Sequence, residues 1–200
     1  MKQSLILLAG YPGTGKSYLM NQIVEKFPAF QMLSPDDLKE KYWDQSGFDN
    51  FDEKEMLIQK SWDEYYQIME EEFKNGISLI SDYPFSEKQK SKIETVSEKY
   101  RVQVITIRLI ADLDILFERQ KLRDLDTTRH LGHILKRYHV NTSEVSHEEA
   151  DNLLTYEEFI SRCTTRGYGE FALGKLIEID VSDFSSVDYD RLLIEVQNLL

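Results

Sequence analysis

The stretch that most constrains this chain is Gly10–Ser17, which reads GYPGTGKS. It matches G-x-x-x-x-G-K-[ST], a pattern whose glycines let backbone N–H groups converge on phosphate oxygens. The apolar run Leu5–Ala9 before it predicts a buried strand, and residues 18–26 after it predict a helix that ends before Pro28. Because a helix N-terminus also attracts anions, this order of strand, glycine loop and helix predicts a phosphate-binding loop, or P-loop.

The last residues of the loop have distinct predicted tasks. Gly13, Thr14 and Gly15 would surround the phosphates of a nucleotide. Lys16 would reach the β- and γ-phosphates, and the Ser17 hydroxyl would bind Mg²⁺. The alternative, an ordinary tight turn with a solvated lysine, is disfavoured by the flanking strand and helix. ATP and Mg²⁺ are therefore the predicted cofactors, with the choice between ATP and GTP left open.

Composition and charge restrict the partners. The 200 residues predict one domain, 1–200, with a sizeable core. The net charge of −12 disfavours long nucleic acid or an anionic membrane as the main partner. The single cysteine, Cys163, excludes an internal disulfide and is typical of a reducing compartment. No apolar run is long enough to span a bilayer, so we expect a cytoplasmic protein, either a monomer or a homodimer.

Strand signals alternate with helix signals along the chain. This alternation predicts a parallel sheet with helices on both faces. The predicted strands after the first are 30–34, 77–81, 102–110 and 175–181. The predicted helices after the first are 35–42, 52–75, 86–100, one beginning at 112, 156–166 and 187–200. Ligands in such sheets bind at the carboxyl ends of the strands, on the side of the P-loop.

Acidic residues follow two of the predicted strands. Asp36 and Asp37 come after the second strand, and Asp82 ends the third. A carboxylate at Asp36 or Asp37 would accept the proton of a hydroxyl that attacks the γ-phosphorus. Asp82 would hold Mg²⁺ through water or orient the acceptor. The alternatives are helix N-terminal acids for the first two and a turn before Tyr83-Pro84 for the third.

The segment 119–139 contrasts in charge with the rest of the chain. It carries six basic residues and two acidic ones, within a chain of net charge −12. Arg119 and Arg123 share a helix face and would close over a polyphosphate, as an arginine finger does. Arg129 is a further candidate for substrate binding. The alternative is a solvated basic helix face.

Two features near this segment have less certain roles in the sequence. His130 and His133 would either ligate a metal, or contact an anion or form hydrogen bonds within a lid. The absence of a nearby thiol and of an HExxH pattern favours the second reading. The following segment, 141–158, has six acids and no Lys or Arg, and the sequence assigns it no role.

A family resemblance rests on four of these stretches. Gly10–Ser17, Ser34–Lys39, Ile80–Asp82 and Arg119–Arg123 together resemble the small P-loop kinases of the AAA-type ATP-binding, predicted-kinase group. These are related to the polynucleotide 5′-hydroxyl kinase domain, with zeta-toxin-like kinases more distant. The resemblance implies an α/β P-loop NTPase sandwich of three layers. Its five-stranded parallel sheet would have the order 2-3-1-4-5, with a mobile lid at about 119–139.

The resemblance also implies roles for particular residues. The family's catalytic aspartate falls on Asp36, its strand-end aspartate on Asp82, and its lid arginines on Arg119 and Arg123. The family's substrate-side arginine is Lys39 here, which disfavours a 3′-phosphorylated nucleic-acid end as acceptor because lysine cannot bind phosphate in a bidentate manner. The stretch 129–133, RHLGH, resembles an Arg-His-Pro-Gly-His signature of the small kinases and suggests a small acceptor.

These expectations favour one function and leave two alternatives. The first is an ATP-dependent phosphotransferase that moves the γ-phosphoryl group to a hydroxyl of a small molecule. Its catalytic residues would be Lys16, Asp36, Arg119 and Arg123, and Asp36, Lys39, Asp82 and Arg129 would contact the acceptor. The alternatives are a regulatory nucleotide-binding NTPase without an acceptor, and a nucleic-acid 5′-end kinase. The sequence does not name the acceptor.

Overall fold

The computed structural model describes residues 2–140 and 145–200, in which strands and helices alternate. The strands are β1 (Ser4–Gly10), β2 (Phe30–Met32), β3 (Ser78–Asp82), β4 (Gln103–Ile110) and β5 (Lys175–Asp180). The helices are α1 (Lys16–Lys26), α2 (Pro35–Ser46), α3 (Phe51–Lys74), α4 (Glu87–Lys99), α5 (Leu113–Leu125), α6 (Tyr156–Thr165) and α7 (Tyr189–Leu199). The first four residues of the acidic segment 141–158, Glu144 among them, lie outside the described residues.

The five strands form one parallel sheet in the order β2-β3-β1-β4-β5. All seven residues of the central strand β1 are buried, as its apolar run predicted. Leu8 of β1 lies opposite Asp82 on one side and Ile107 on the other. With helices around the sheet, this order confirms the α/β fold of a P-loop NTPase.

Alternate side chains of β1 point into two apolar layers. Leu5 and Leu7 pack with α3 and α4, in a layer that contains Tyr65, Met69 and Ile93. Ile6 and Leu8 pack with α1 and α7, in a second layer that contains the side chains Leu19, Ile23, Leu192 and Val196. Because both faces of the sheet are covered, the edge formed by the carboxyl ends of the strands is where the candidate site is expected.

A third apolar cluster connects the segment 119–139, which we call the lid, to helices α2 and α3. It consists of Trp43, Phe48, Leu57, Leu135 and Tyr138. Phe48 and Tyr138 also pair through backbone hydrogen bonds of 2.8 and 2.9 Å. The end of the lid is therefore packed against α2 and α3.

Helix α2 begins with a capped turn that places acidic residues beside the sheet. Ser34 is the N-cap, and its hydroxyl accepts a hydrogen bond from the Asp37 N–H at 3.4 Å. Pro35 occupies the first turn, where its missing N–H costs no hydrogen bond. This geometry directs Asp36 towards the P-loop edge. No helix in residues 2–140 and 145–200 has the length and apolar character needed to cross a membrane.

Candidate active site

The P-loop joins β1 to α1 through glycines that no other residue could replace without strain. Gly10 has φ of 106°, and a Cβ atom there would lie 1.9 Å from the Leu109 carbonyl oxygen. Gly15, the N-cap of α1, has φ of 79°, and its Cβ would meet the Phe184 ring at 3.2 Å. These two positions explain the glycines at both ends of the loop, because positive φ and close approach exclude a side chain.

Lys16 is buried beside the loop backbone. Its Nζ donates hydrogen bonds to the Tyr11 carbonyl at 2.6 Å and to the Gly10 carbonyl at 3.3 Å. Burial, together with the nearby Arg123 guanidinium, lowers the pKa of Lys16 to about 7, although Asp82 opposes this effect. An anion bound in the loop would restore the favoured charge of this amine.

Ser17 and Asp82, both predicted metal ligands, are in direct contact. The Ser17 Oγ donates a hydrogen bond of 2.6 Å to Asp82 Oδ2. Burial raises the pKa of Asp82, and Asp36 adds to this rise, while the hydrogen bond from Ser17 opposes it. A hydroxyl and a carboxylate are the oxygen ligands that Mg²⁺ uses in nucleotide sites, so this pair fits the predicted ion.

Asp36 forms an ion pair with Lys39 that the sequence did not predict. Lys39 Nζ lies 2.9 Å from Asp36 Oδ1 and donates a second hydrogen bond of 2.9 Å to the Tyr83 hydroxyl. The Lys39 side chain is 7% exposed and that of Asp36 is 33% exposed. Burial acts to raise the pKa of Asp36, but Lys39, His133 and Arg129 together outweigh burial and hold that pKa well below its usual range.

The two arginines of the predicted lid helix have different surroundings. The Arg119 guanidinium donates hydrogen bonds of 2.8 Å to the carbonyls of Val181 and Ser182, and it lies over the Phe184 ring at 3.9 Å. Arg123 is exposed and has no hydrogen bond or ion pair among the described residues. Its charge instead lowers the pKa values of Lys16 and Arg129, although burial is the larger cause for both.

Arg129 occupies a more buried position in the lid. Its Nε lies 3.5 Å from Asp124 Oδ1. Burial and the charge of Arg123 lower the pKa of Arg129 to about 10, and Asp36 opposes this effect. Arg129 is thus close to both Asp36 and Arg123.

The lid histidines bind carboxylates of α2. His130 Nε2 lies 2.9 Å from Asp44 Oδ1, and His133 Nε2 lies 2.7 Å from Glu40 Oε1. Burial lowers the pKa of His133, and the hydrogen bond to Glu40 opposes this effect. These contacts attach the lid to α2 through hydrogen bonds, in addition to the packing around Trp43.

One cavity of about 480 Å³ brings the predicted residues together. Its walls include Gly13, Gly15, Lys16, Ser17, Asp36, Lys39, Asp82, Arg119, Arg123 and Arg129. Thr14 is buried below the loop and accepts a hydrogen bond from Lys16 Nζ at 3.3 Å. The segments selected by the rule that ligands bind at the carboxyl ends of the strands therefore line one cavity.

Two further arginines line this cavity, and the sequence analysis missed them. Arg162 lies on α6 and Arg166, four residues later, is the C-cap of that helix, far along the chain from the P-loop. Two arginines four residues apart share one helix face, which was the sequence signal for a joint role. Many solvent-exposed helix faces show the same spacing. With them, the walls carry seven cationic side chains and three carboxylates, in a chain of net charge −12.

The strand order and the glycine loop between β1 and α1 are those of a P-loop NTPase fold. The chain belongs to the AAA domain family, whose model matches residues 5–140. A comparison with curated proteins gives no match.

Solved structures share the fold at low sequence identity. A candidate kinase from Chloroflexus aurantiacus J-10-fl is 22% identical, with a TM-score of 0.78 and all of both chains covered. A gluconokinase from Sinorhizobium meliloti 1021 is 14% identical, with a TM-score of 0.51, over 96% of this chain and 88% of its own. A sugar kinase from Janibacter sp. HTCC2649 is 13% identical, with a TM-score of 0.53, over 99% and 94%. These similarities show the fold.

Proposed function

We propose that the protein is an ATP-dependent phosphotransferase that moves the γ-phosphoryl group to a hydroxyl group of a small molecule. The observation that carries this proposal is the position of Asp36, which lines the same cavity as Lys16 and the Ser17–Asp82 pair. A P-loop alone would indicate only nucleotide binding. A carboxylate in the same cavity as the proposed phosphate site adds the group that an attacking hydroxyl requires.

The donor half of the site is the P-loop with its neighbours. The loop N–H groups and Lys16 would bind the β- and γ-phosphates, and the exposed Arg123 would neutralise charge on the transferring group. Ser17 and Asp82 would hold Mg²⁺, which when bound neutralises charge on the phosphate oxygens. The adenine base of ATP would lie near Phe184, Arg119 and Tyr18, which line the cavity. The Phe184 ring is the side chain beside Gly15.

The acceptor half is centred on Asp36. Its low pKa keeps the carboxylate ionised at neutral pH, so it can accept a hydrogen bond from the acceptor hydroxyl. So weak a base takes the proton late, as the new bond from oxygen to phosphorus forms and the bond to the ADP leaving group breaks. Lys39 holds the carboxylate in place through the 2.9 Å ion pair.

Cavity size and charge support a small acceptor. The volume of about 480 Å³ must hold the triphosphate end of the donor and the acceptor together. The acidic chain as a whole disfavours a long nucleic acid. Kinases of gluconate and of a sugar have the same fold, which is compatible with a small hydroxyl compound as acceptor.

The test is a phosphoryl-acceptor screen with purified protein, Mg²⁺ and labelled ATP. We expect at least one small hydroxyl compound to be labelled, and 5′-hydroxyl oligonucleotides at low salt to remain unlabelled. Lys16→Ala and Asp36→Asn should each lower the rate of phosphoryl transfer by about a hundredfold or more, while the protein stays folded. ADP release that no acceptor stimulates would instead indicate a regulatory NTPase. An Asp36→Asn enzyme with unchanged kcat would remove Asp36 from the mechanism.

A further inference from the structure

Arg162 and Arg166 form a cationic wall of the cavity that the proposed donor site does not use. Both side chains are exposed and line the same cavity as the P-loop and Asp36. Neither has a carboxylate within ion-pair distance in residues 2–140 and 145–200. Glu158, one turn before Arg162 on α6, accepts instead from the Thr155 N–H at 3.0 Å. The Glu158 charge acts on Arg162, but neither guanidinium forms an ion pair within those ranges, so both are accessible to an anion.

The other cations of the cavity already have partners or lie beside the P-loop. Lys39 is paired with Asp36 at 2.9 Å and Arg129 with Asp124 at 3.5 Å. Arg119 is bound to two backbone carbonyls. Lys16 and Arg123 remain for the donor phosphates, since Arg123 is close enough to Lys16 to lower its pKa. Arg162 and Arg166 are therefore the two cationic side chains of this cavity wall that the proposed donor site leaves without a role.

Hydrogen bonds lead from Asp36 and from Arg166 to two tyrosines that line the same cavity, Tyr83 and Tyr168. Lys39 connects Asp36 to the Tyr83 hydroxyl through bonds of 2.9 Å each. Tyr168 is buried, and its hydroxyl accepts a hydrogen bond from Arg166 Nη1 at 3.2 Å. Burial raises the pKa of Tyr168, and the nearby Tyr83 adds to the rise. A ligand held by Arg166 would thus occupy the same cavity as the proposed catalytic carboxylate.

We propose that Arg162 and Arg166 bind a second functional group of the acceptor, an anionic phosphate or carboxylate, while another hydroxyl of the same molecule faces Asp36. The acceptor class is then a hydroxylated phosphate ester or hydroxy acid of small size. This inference rests on the proposed function and narrows its acceptor. The planar guanidinium groups match either anion in bidentate fashion, and two of them would orient the molecule across the cavity.

The first experiment compares neutral polyol acceptors with related compounds that carry a carboxylate or a phosphate. Two sets of compounds are assayed with labelled ATP and Mg²⁺. One set is glucose, gluconate and glucose 6-phosphate, and the other is glycerol, glycerate and glycerol 3-phosphate. We expect transfer to members that carry an anion, with kcat/KM at least about tenfold above the neutral member of the set. The carboxylate and phosphate arms identify which anion is bound. Equal transfer to the neutral members would overturn the inference and leave the phosphotransferase intact.

The second experiment does not depend on transfer. Inorganic phosphate is titrated into protein saturated with Mg²⁺ and a non-hydrolysable ATP analogue, for the wild type, Arg162→Gln, Arg166→Gln and Arg191→Gln. Arg191 is an exposed arginine of α7 that does not line the cavity. We expect phosphate affinity to fall by about tenfold in each α6 variant and to stay unchanged in the α7 control. The affinity for the analogue itself should stay within about twofold of the wild type.

Two outcomes of that titration would contradict the inference. Phosphate that does not bind the loaded wild-type protein, or that binds the α6 variants equally well, shows that these arginines hold no acceptor anion. A parallel tenfold loss in affinity for the ATP analogue would assign them to the donor. Failure of the proposed function has a different signature, because the protein would then bind the analogue and label no hydroxyl compound.

Discussion

The Ser17 hydroxyl donates a hydrogen bond of 2.6 Å to Asp82 Oδ2, although the two residues are 65 positions apart in the chain. Their contact follows from the sheet, in which β3 lies beside β1 with Asp82 opposite Leu8. Ser17 lies just beyond the same strand end, in the first turn of α1. The contact places both proposed ligands of Mg²⁺ at one point.

Replacing Asp82 with Asn should weaken metal-dependent nucleotide binding. The amide keeps the shape of the side chain but loses the charge that attracts Mg²⁺. We expect the Mg²⁺ concentration for half-maximal activity to rise by about tenfold or more, with metal-free binding of an ATP analogue unchanged. Asp190→Asn, at an exposed position of α7, is the matched control. Equal metal dependence in both variants would exclude Asp82 as a ligand.

Lys39 should control the pH dependence of activity through Asp36. Because the folded-state pKa of Asp36 lies below its usual range, its carboxylate stays ionised and the wild type should keep its rate down to about pH 5. Lys39→Met removes the charge, leaves burial as the dominant effect and raises that pKa, so activity should fall as pH decreases. Lys39→Arg preserves the charge and should retain the wild-type profile of kcat/KM.

Nucleotide binding should take up a proton at Lys16. The pKa of this amine is lowered to about 7, so above that pH it is mostly neutral until phosphates stabilise its charge. Affinity for an ATP analogue should therefore decrease as pH rises above 7, with uptake of up to about one proton at pH 8. Calorimetry in buffers of different ionisation enthalpy measures this uptake. Lys16→Arg, which stays charged, should show none beyond that of the nucleotide.

Arg119 and Arg123 should have separable effects on catalysis. The Arg119 guanidinium supports the loop after β5 through the carbonyls of Val181 and Ser182. Arg119→Ala should therefore raise the KM for ATP by about tenfold with little change in kcat. Arg123→Ala should lower kcat by about a thousandfold, because its charge would be needed in the transition state. Steady-state kinetics distinguish the two variants. A loss of kcat in Arg119→Ala and a higher KM in Arg123→Ala would contradict these roles.

Trp43 should control how firmly the lid is attached. It is 2% exposed and contacts Phe48 and the His133 ring, whose centroid lies 4.9 Å away. If the lid stays in place, Trp43→Ala should lower the free energy of unfolding by about 3–5 kcal/mol. Otherwise the lid should detach locally from α2 and α3. Hydrogen exchange in 130–139 should then rise more than in α4. The exposed Phe51→Ala is the control, and a uniform rise would indicate global unfolding only.

The sequence predicted most of the fold because its signals are local. The apolar run before Gly10 and the glycines after it define β1 and the P-loop, and their predicted bounds agree with the structure within a few residues. Helix α2 is an exception. The sequence predicted its end at residue 42, but it continues to Ser46, and Gly47 is its C-cap. The strand order came from the family resemblance, because periodicity does not say which strands are neighbours.

The site was predictable where it depends on strand ends. Asp36 and Asp82 each follow a strand, and parallel strands bring their carboxyl ends to one edge. The Ser17–Asp82 contact is a direct consequence of this rule, whereas the pairing of Asp36 with Lys39 depends on how α2 packs against Tyr83.

The sequence by itself determined the glycine loop, the alternation of strands and helices, and the sheet edge at which the candidate site lies. The tertiary structure alone decided which charges meet there. It attached Arg119 to backbone carbonyls, paired His130 and His133 with α2, and brought Arg162 and Arg166 of α6 into the cavity. The physical reason is that local patterns depend on neighbours within a few residues, whereas these contacts join segments that only packing brings together.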